Sequence, residues 1–248
     1  MPLSLPPIVY CGEIADPARW WLVWNDAAPI WAALLAWAAL TARHAPRAPR
    51  SRPAWAAWAL ALLLYLSPLC ALSATLFSVR VLHHLLLVGA VAPLLALAAG
   101  PARAGQRRAR SPAGAALVFG LVLWLWHAPQ AYAWGLTSVA GYWLMQASLL
   151  RTAWWFWRAV LRSDQPWGGA VLALFATVAH MGLLGALIVF AGQLLYPVHV
   201  AGTLAWGAAP LADQQLGGLL MWVPAIVPFM AAALWRLAQG LRRAEAAA

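Results

Sequence analysis

Apolar residues fall in seven long runs separated by short gaps that carry proline, arginine or small polar residues. The runs cover about Ala27 to Ala42, Ala54 to Leu72, Ser78 to Ala99, Ala113 to Pro129, Val139 to Leu161, Gly169 to Gly192 and Leu216 to Leu237. About 20 apolar residues suffice for a helix to cross a bilayer, and a helix satisfies its own backbone there. The pattern therefore predicts an all-α polytopic bundle of seven transmembrane helices, a single domain over residues 1–248. The first run is the shortest, but Trp20, Trp21 and Trp24 before it suit an interfacial belt and Pro29 suits a first helical turn.

The gaps fix an orientation. With seven spans, the loop around Arg43, Arg47, Arg50 and Arg52 falls on one side with the loop around Arg103, Arg107, Arg108 and Arg110. The same side takes the Arg158 to Arg162 hinge and the tail with Arg236, Arg242 and Arg243. Thirteen of the sixteen arginines gather there, and the positive-inside rule makes that side cytoplasmic, with the amino terminus outside. Composition agrees: 65% of residues are hydrophobic, 9% are charged, and mean hydropathy is +0.75. A net charge of +10 held in interhelical loops reflects insertion, not a nucleic-acid partner. Residues 1–19 have no basic and apolar leader pattern, so the first apolar helix is expected to act as the insertion signal.

Within this frame the unusual residues are polar ones inside or beside apolar runs. Ionisable groups at bilayer depth are costly and mark functional sites. Arg80, His83 and His84 lie in the outer part of the third span. Trp126–His127–Ala128–Pro129 closes the fourth, and Tyr196 to His199 with Asp213–Gln214–Gln215 flank the last outer loop. Cys70 and Cys11 fall on the same side, where a disulfide is possible only if that side is oxidising.

Histidines converging from several helices can build a copper, zinc or iron site. Each also has a structural reading. Arg80 and His83 can anchor a helix end at the headgroups, and Arg80 can neutralise Asp213. His127 can close its helix, and His180 in the sixth span can be a buried, hydrogen-bonded residue. Asp213 can cap a helix N-terminus, where a carboxylate is favoured by the dipole. His83 and His84, adjacent in sequence, point about 100° apart, so His84 is the inward candidate and His83 faces a neighbouring helix or the interface. Gly217 and Gly218 are expected to meet Gly182 and Gly185 across a close helix contact, and Pro224 and Pro228 to bend the last span. His44, beside the cytoplasmic loop, reads as a surface residue.

Taken together, several motifs resemble the multi-span CtaG family of cytochrome c oxidase assembly factors. They are Leu82–His83–His84–Leu85–Leu86–Leu87 with Ala92–Pro93–Leu94–Leu95, then Trp126–His127–Ala128–Pro129 and Gly182–Leu183–Leu184–Gly185. Tyr196–Pro197–Val198–His199, Asp213–Gln214–Gln215–Leu216–Gly217–Gly218 and Met221–Trp222–Val223–Pro224 continue the match. The resemblance implies a multi-pass protein of the bacterial inner membrane, needed to build active haem–copper oxidase and supporting copper insertion. It implies oxidase subunits as partners, with periplasmic copper chaperones as possible ones. It carries over His84, His127, His199 and Asp213. The family often has histidines where this chain has Arg80, Tyr142 and Gln146, and a glutamine at His83.

The leading expectation is thus a non-enzymatic assembly factor that binds copper transiently through His84, His127 and His199, with His83 possible and Asp213 orienting a ligand or completing the site. Two other classes are a metal-free assembly scaffold and a haem-b oxidoreductase with His84 facing His127 or His180. No serine–histidine–acid set or phosphate loop is present.

Overall fold

A computed structural model describes residues 11, 15–44, 51–100, 111–161 and 167–246. Most of the two arginine-rich loops and the 162–166 hinge therefore lie outside the described residues. The described chain is all-helical. Its helices are α1 (Ala28–His44), α2 (Ser51–Leu66), α3 (Leu69–Thr75), α4 (Phe77–Leu86), α5 (Ala92–Ala98), α6 (Pro112–His127) and α7 (Pro129–Thr137). They continue with α8 (Val139–Val160), α9 (Trp167–Val189), α10 (Val200–Ala205), α11 (Pro210–Trp222) and α12 (Ile226–Glu245).

Among the described residues three helical stretches are long and apolar enough to cross a membrane. They are Phe77–Ala98, Trp167–Val189 and Pro210–Glu245. Two bent pairs, α2 with α3 at 52° and α6 with α7 at 76°, bring the number to as many as five. The expected second and fourth spans are these bent pairs. Each break follows from proline. Pro68 ends α2, and Pro129 takes the first position of α7 after an extended Ala128. The residues from Pro129 to Thr137 thus form a helix of their own.

The third span is continuous through a π-helical turn at Leu87–Val91. Pro93 has no N–H to offer the Val88 carbonyl five residues earlier, and the Trp157 indole N–H of α8 donates to it at 2.7 Å. At bilayer depth an unmet carbonyl has no water to turn to, so Trp157 repairs the ladder. The last span is interrupted at 223–225, where Pro224 removes a donor and Ala225 N–H reaches back to Leu220.

Small residues set the tightest packing. A Cβ on Gly185 of α9 would stand 2.9 Å from the Gly218 carbonyl of α11, and one on Gly218 would stand 2.8 Å from the Gly185 carbonyl. The expected glycine contact forms there. Gly182 has only ordinary contact with Trp222, and Gly217 instead makes room for the Phe77 ring of α4. The core runs through α4, α6, α8, α9 and α11. The α1 helix packs peripherally on α2, with the Trp58 indole donating to the Leu34 carbonyl at 2.9 Å.

Candidate functional site

The polar residues singled out in the sequence cluster at one end of the bundle, where α3 meets α4, α6 turns into α7, and the Tyr196 to Ala209 segment leads into α11. Asp213, in the first turn of α11, does not serve its own helix. Its Oδ2 accepts the Phe77 N–H at 2.7 Å, and its Oδ1 accepts the Ser78 N–H at 3.3 Å and the Ser78 hydroxyl. The Thr203 hydroxyl donates to Oδ2 at 3.3 Å. Asp213 is thus the N-terminal cap of α4, contributed from the far end of the chain. Gln214 beside it accepts the Leu195 N–H at 2.7 Å and donates to the Gln193 carbonyl at 3.1 Å. The Asp-Gln pair therefore ties α4 and the preceding loop to α11.

That loop delivers an aromatic wall. Tyr196 stacks on Phe77 with ring centroids 4.3 Å apart and 11° between planes, and its hydroxyl donates to the His127 carbonyl at 2.9 Å. Tyr132, from α7, lies 4.6 Å from the Tyr196 ring and hydrogen-bonds His199 Nε2 at 2.7 Å. His199 itself sits in the short turn Pro197–His199, 3% exposed. Its Nδ1 lies toward the Ala74 and Thr75 backbone without a hydrogen bond of standard geometry. Burial, with the Arg80 charge adding to it, pushes its pKa down to about 3, so the imidazole is neutral. Burial likewise raises the Tyr196 phenol.

His84 and His127 come from α4 and α6. His127 Nδ1 bonds back to the Leu123 carbonyl at 2.7 Å, which puts its proton on Nδ1 and the lone pair on Nε2. His84 Nε2 is buried without a partner and lies within electrostatic reach of His127 and His83. His83 is fully buried and faces a neighbouring helix, its ring edge-on to Tyr65 of α2 at 5.3 Å and 5.8 Å from the His84 ring.

Arg80 meets neither expectation set for it. It is 0% exposed, which rules out headgroup anchoring, and it does not pair with Asp213, whose oxygens are taken by α4 and Thr203. Its Nε donates to the Ser73 carbonyl at 2.9 Å, and its guanidinium lies 5.6 Å from the centre of the Tyr142 ring. Cys11 and Cys70 form a disulfide, and Cys11 Sγ lies 3.7 Å from the Tyr142 hydroxyl.

Among the described residues no group of three or more His, Cys, Asp or Glu side chains is arranged to hold a metal ion. Of the candidate imidazoles, His83 has both nitrogens unpartnered, His84 has a free Nε2, and His127 is bonded through Nδ1. His199 is bonded to Tyr132, and Asp213 is used by α4. His180 stands apart, its Nε2 facing Gly120 of α6 at 3.1 Å from where a Cβ would lie. Sequence reasoning missed Phe77, Ser78, Tyr132 and Thr203, since nothing in their spacing marks them.

The geometry of α4, α6 and α11 can now be set beside known proteins. The profile of the cytochrome c oxidase caa3 assembly factors (Caa3_CtaG) matches residues 31–243. The chain belongs to this family. As a Caa3_CtaG protein it is a membrane-embedded cytochrome c oxidase assembly factor, a role that implies interaction with the oxidase and suggests a non-catalytic function. The matched stretch contains every site residue described above except Cys11. No match was found among curated proteins or among solved structures.

Proposed function

We propose that this chain spans the bacterial inner membrane seven times, amino terminus outside, and supports copper insertion into the assembling oxidase. In this reading the bent pairs, α1 and α8 cross the bilayer with the three longest helices. The end bearing His84, His127 and His199 faces the periplasm. Copper is cargo here, held transiently by His84 and His127, whose neutral nitrogens suit reduced copper in low coordination. His199 and Asp213 position the walls: Asp213 holds α4, which carries His84, and Tyr196 grips the His127 carbonyl. The partnerless His84 Nε2, and a His127 whose bond to the Leu123 carbonyl leaves its Nε2 lone pair free, support this reading.

The test is a competition titration of purified protein with a chromophoric chelator for reduced copper. Wild type is expected to retain about one copper per chain, and the His84→Ala/His127→Ala double variant to bind at least about tenfold more weakly. Uptake at background level by wild type, or unchanged uptake by the double variant, would sink the copper role. A metal-free scaffold is the second reading, favoured by the lack of a cluster of three donors among the described residues. It predicts that the double variant still supports full oxidase activity in cells and still co-purifies with oxidase subunits.

A further inference from the structure

Arg80 is a fully buried cation with most of its donors unused. Its Nη1 and Nη2 have no hydrogen-bond partner, and only Nε is satisfied, by the Ser73 carbonyl. Burying an uncompensated guanidinium is costly, and natural structures pair such a charge. Asp213 is committed to α4, and among the described residues no carboxylate forms an ion pair with Arg80.

The neighbouring groups are unmet in the same sense. His83 lacks partners on both ring nitrogens, His84 on Nε2, and Gln146 on its amide nitrogen, while all three residues are buried. Gln146 Oε1 accepts the Tyr65 hydroxyl at 3.4 Å, and its amide nitrogen has no partner. Tyr65 in turn touches His83 and His83 touches His84, while Arg80, three and four residues before them, shares their face of α4 and lies over the Tyr142 ring. The unused groups of fixed character, the Arg80 fork and the Gln146 amide nitrogen, are all donors, and the His83 imidazole can turn one N–H toward a guest. Water could meet the hydrogen bonds but not the charge.

We propose that Arg80, with His83 and Gln146, binds a compact monovalent anion, a halide or a small carboxylate, at the outer end of α4. One guanidinium sets the charge at one, and enclosure sets the size. This inference goes beyond the copper reading and does not depend on it.

The test uses the full chain purified in detergent with a chelator present, so that metal plays no part. The unfolding midpoint is followed as chloride replaces a bulky sulfonate at constant ionic strength. Wild type is expected to rise saturably by about 5 °C. Arg80→Met, which removes the charge and keeps the bulk, is expected to show no such rise. A flat wild-type response to chloride, formate and acetate alike overturns the proposal, as does an equal rise in Arg80→Met. If Arg80→Met does not fold, Gln146→Glu decides. It supplies a carboxylate inside the cluster, so its midpoint should no longer respond to added anion, and a wild-type response overturns the site. Saturation at lower concentration by formate or acetate assigns a carboxylate guest, and by chloride a halide.

Discussion

Asp213 shows how much one side chain holds at this end of the bundle. Two backbone N–H groups and two hydroxyls converge on its carboxylate, all of them buried, so its removal leaves them without a partner. Asp213→Ala is expected to cost about 2–4 kcal/mol, and Asp213→Asn about half of that, because the amide oxygen still accepts at one position. Thermal or denaturant unfolding in detergent measures both. His199 adds a pH dependence. Its native pKa of about 3 lies below the ordinary value near 6.5, so below that value the unfolded chain binds the extra proton. Stability that is complete above about pH 6.5 is therefore lost as pH falls toward 3. The unfolding midpoint of wild type should drop between pH 7 and pH 5, and that of His199→Gln should drop less. Equal slopes in the two proteins would refute the assignment. The capping chemistry of Asp213 was legible in the sequence, since a carboxylate beside an apolar run suits a helix start. That it caps α4, and not α11, depends on tertiary contact between residues about 135 positions apart, which no local pattern encodes.

At the scale of elements, proline and glycine decide where helices bend and where they touch. Pro68, Pro129 and Pro224 mark the breaks; Pro129 and Pro224 read in the sequence as a helix end and a bend, whereas Pro68 lies inside the expected second span. The short α7 was not readable: Pro129 looks like a terminus, and nine residues of mixed polarity give no clear period. The π turn was also hidden, because its repair by Trp157 joins residues 69 positions apart. The α9–α11 contact yields a graded prediction. Gly218→Val forces a Cβ against the Gly185 carbonyl, a backbone atom that cannot move aside without separating the helices. It is expected to destabilise by more than about 2 kcal/mol and to lower the yield of folded protein. Gly182→Ala meets only the Trp222 ring edge at 3.5 Å and should be close to neutral. Equal effects of the two substitutions, measured by unfolding midpoint, would show that α9 and α11 do not rely on glycine for their approach.

For the whole molecule, the proposed orientation rests on two unrelated signals. The arginines gather at the end expected to stay in the cytoplasm, where translocation of positive charge is resisted. The Cys11–Cys70 disulfide lies at the other end, beside Tyr142 and the Arg80 cluster, and disulfides persist in oxidising compartments. The apolar runs made the membrane class plain, yet hydropathy alone leaves the number of crossings short of seven. One reason is that α8 carries Arg151 and Arg158, the latter 5.3 Å from the centre of the Trp154 ring, and α1 is brief. Reporter fusions settle the matter. A cytoplasm-dependent fluorescent protein after Ala248 should be bright, and a periplasm-dependent phosphatase fused before residue 1 should be active. With the chain intact in cells, Cys11 and Cys70 should resist a thiol reagent until a reductant is added, and then both should react. A bright fusion at each terminus would instead require an even number of crossings, splitting the arginine-rich loops between the two sides and removing the periplasmic setting of His84 and His127.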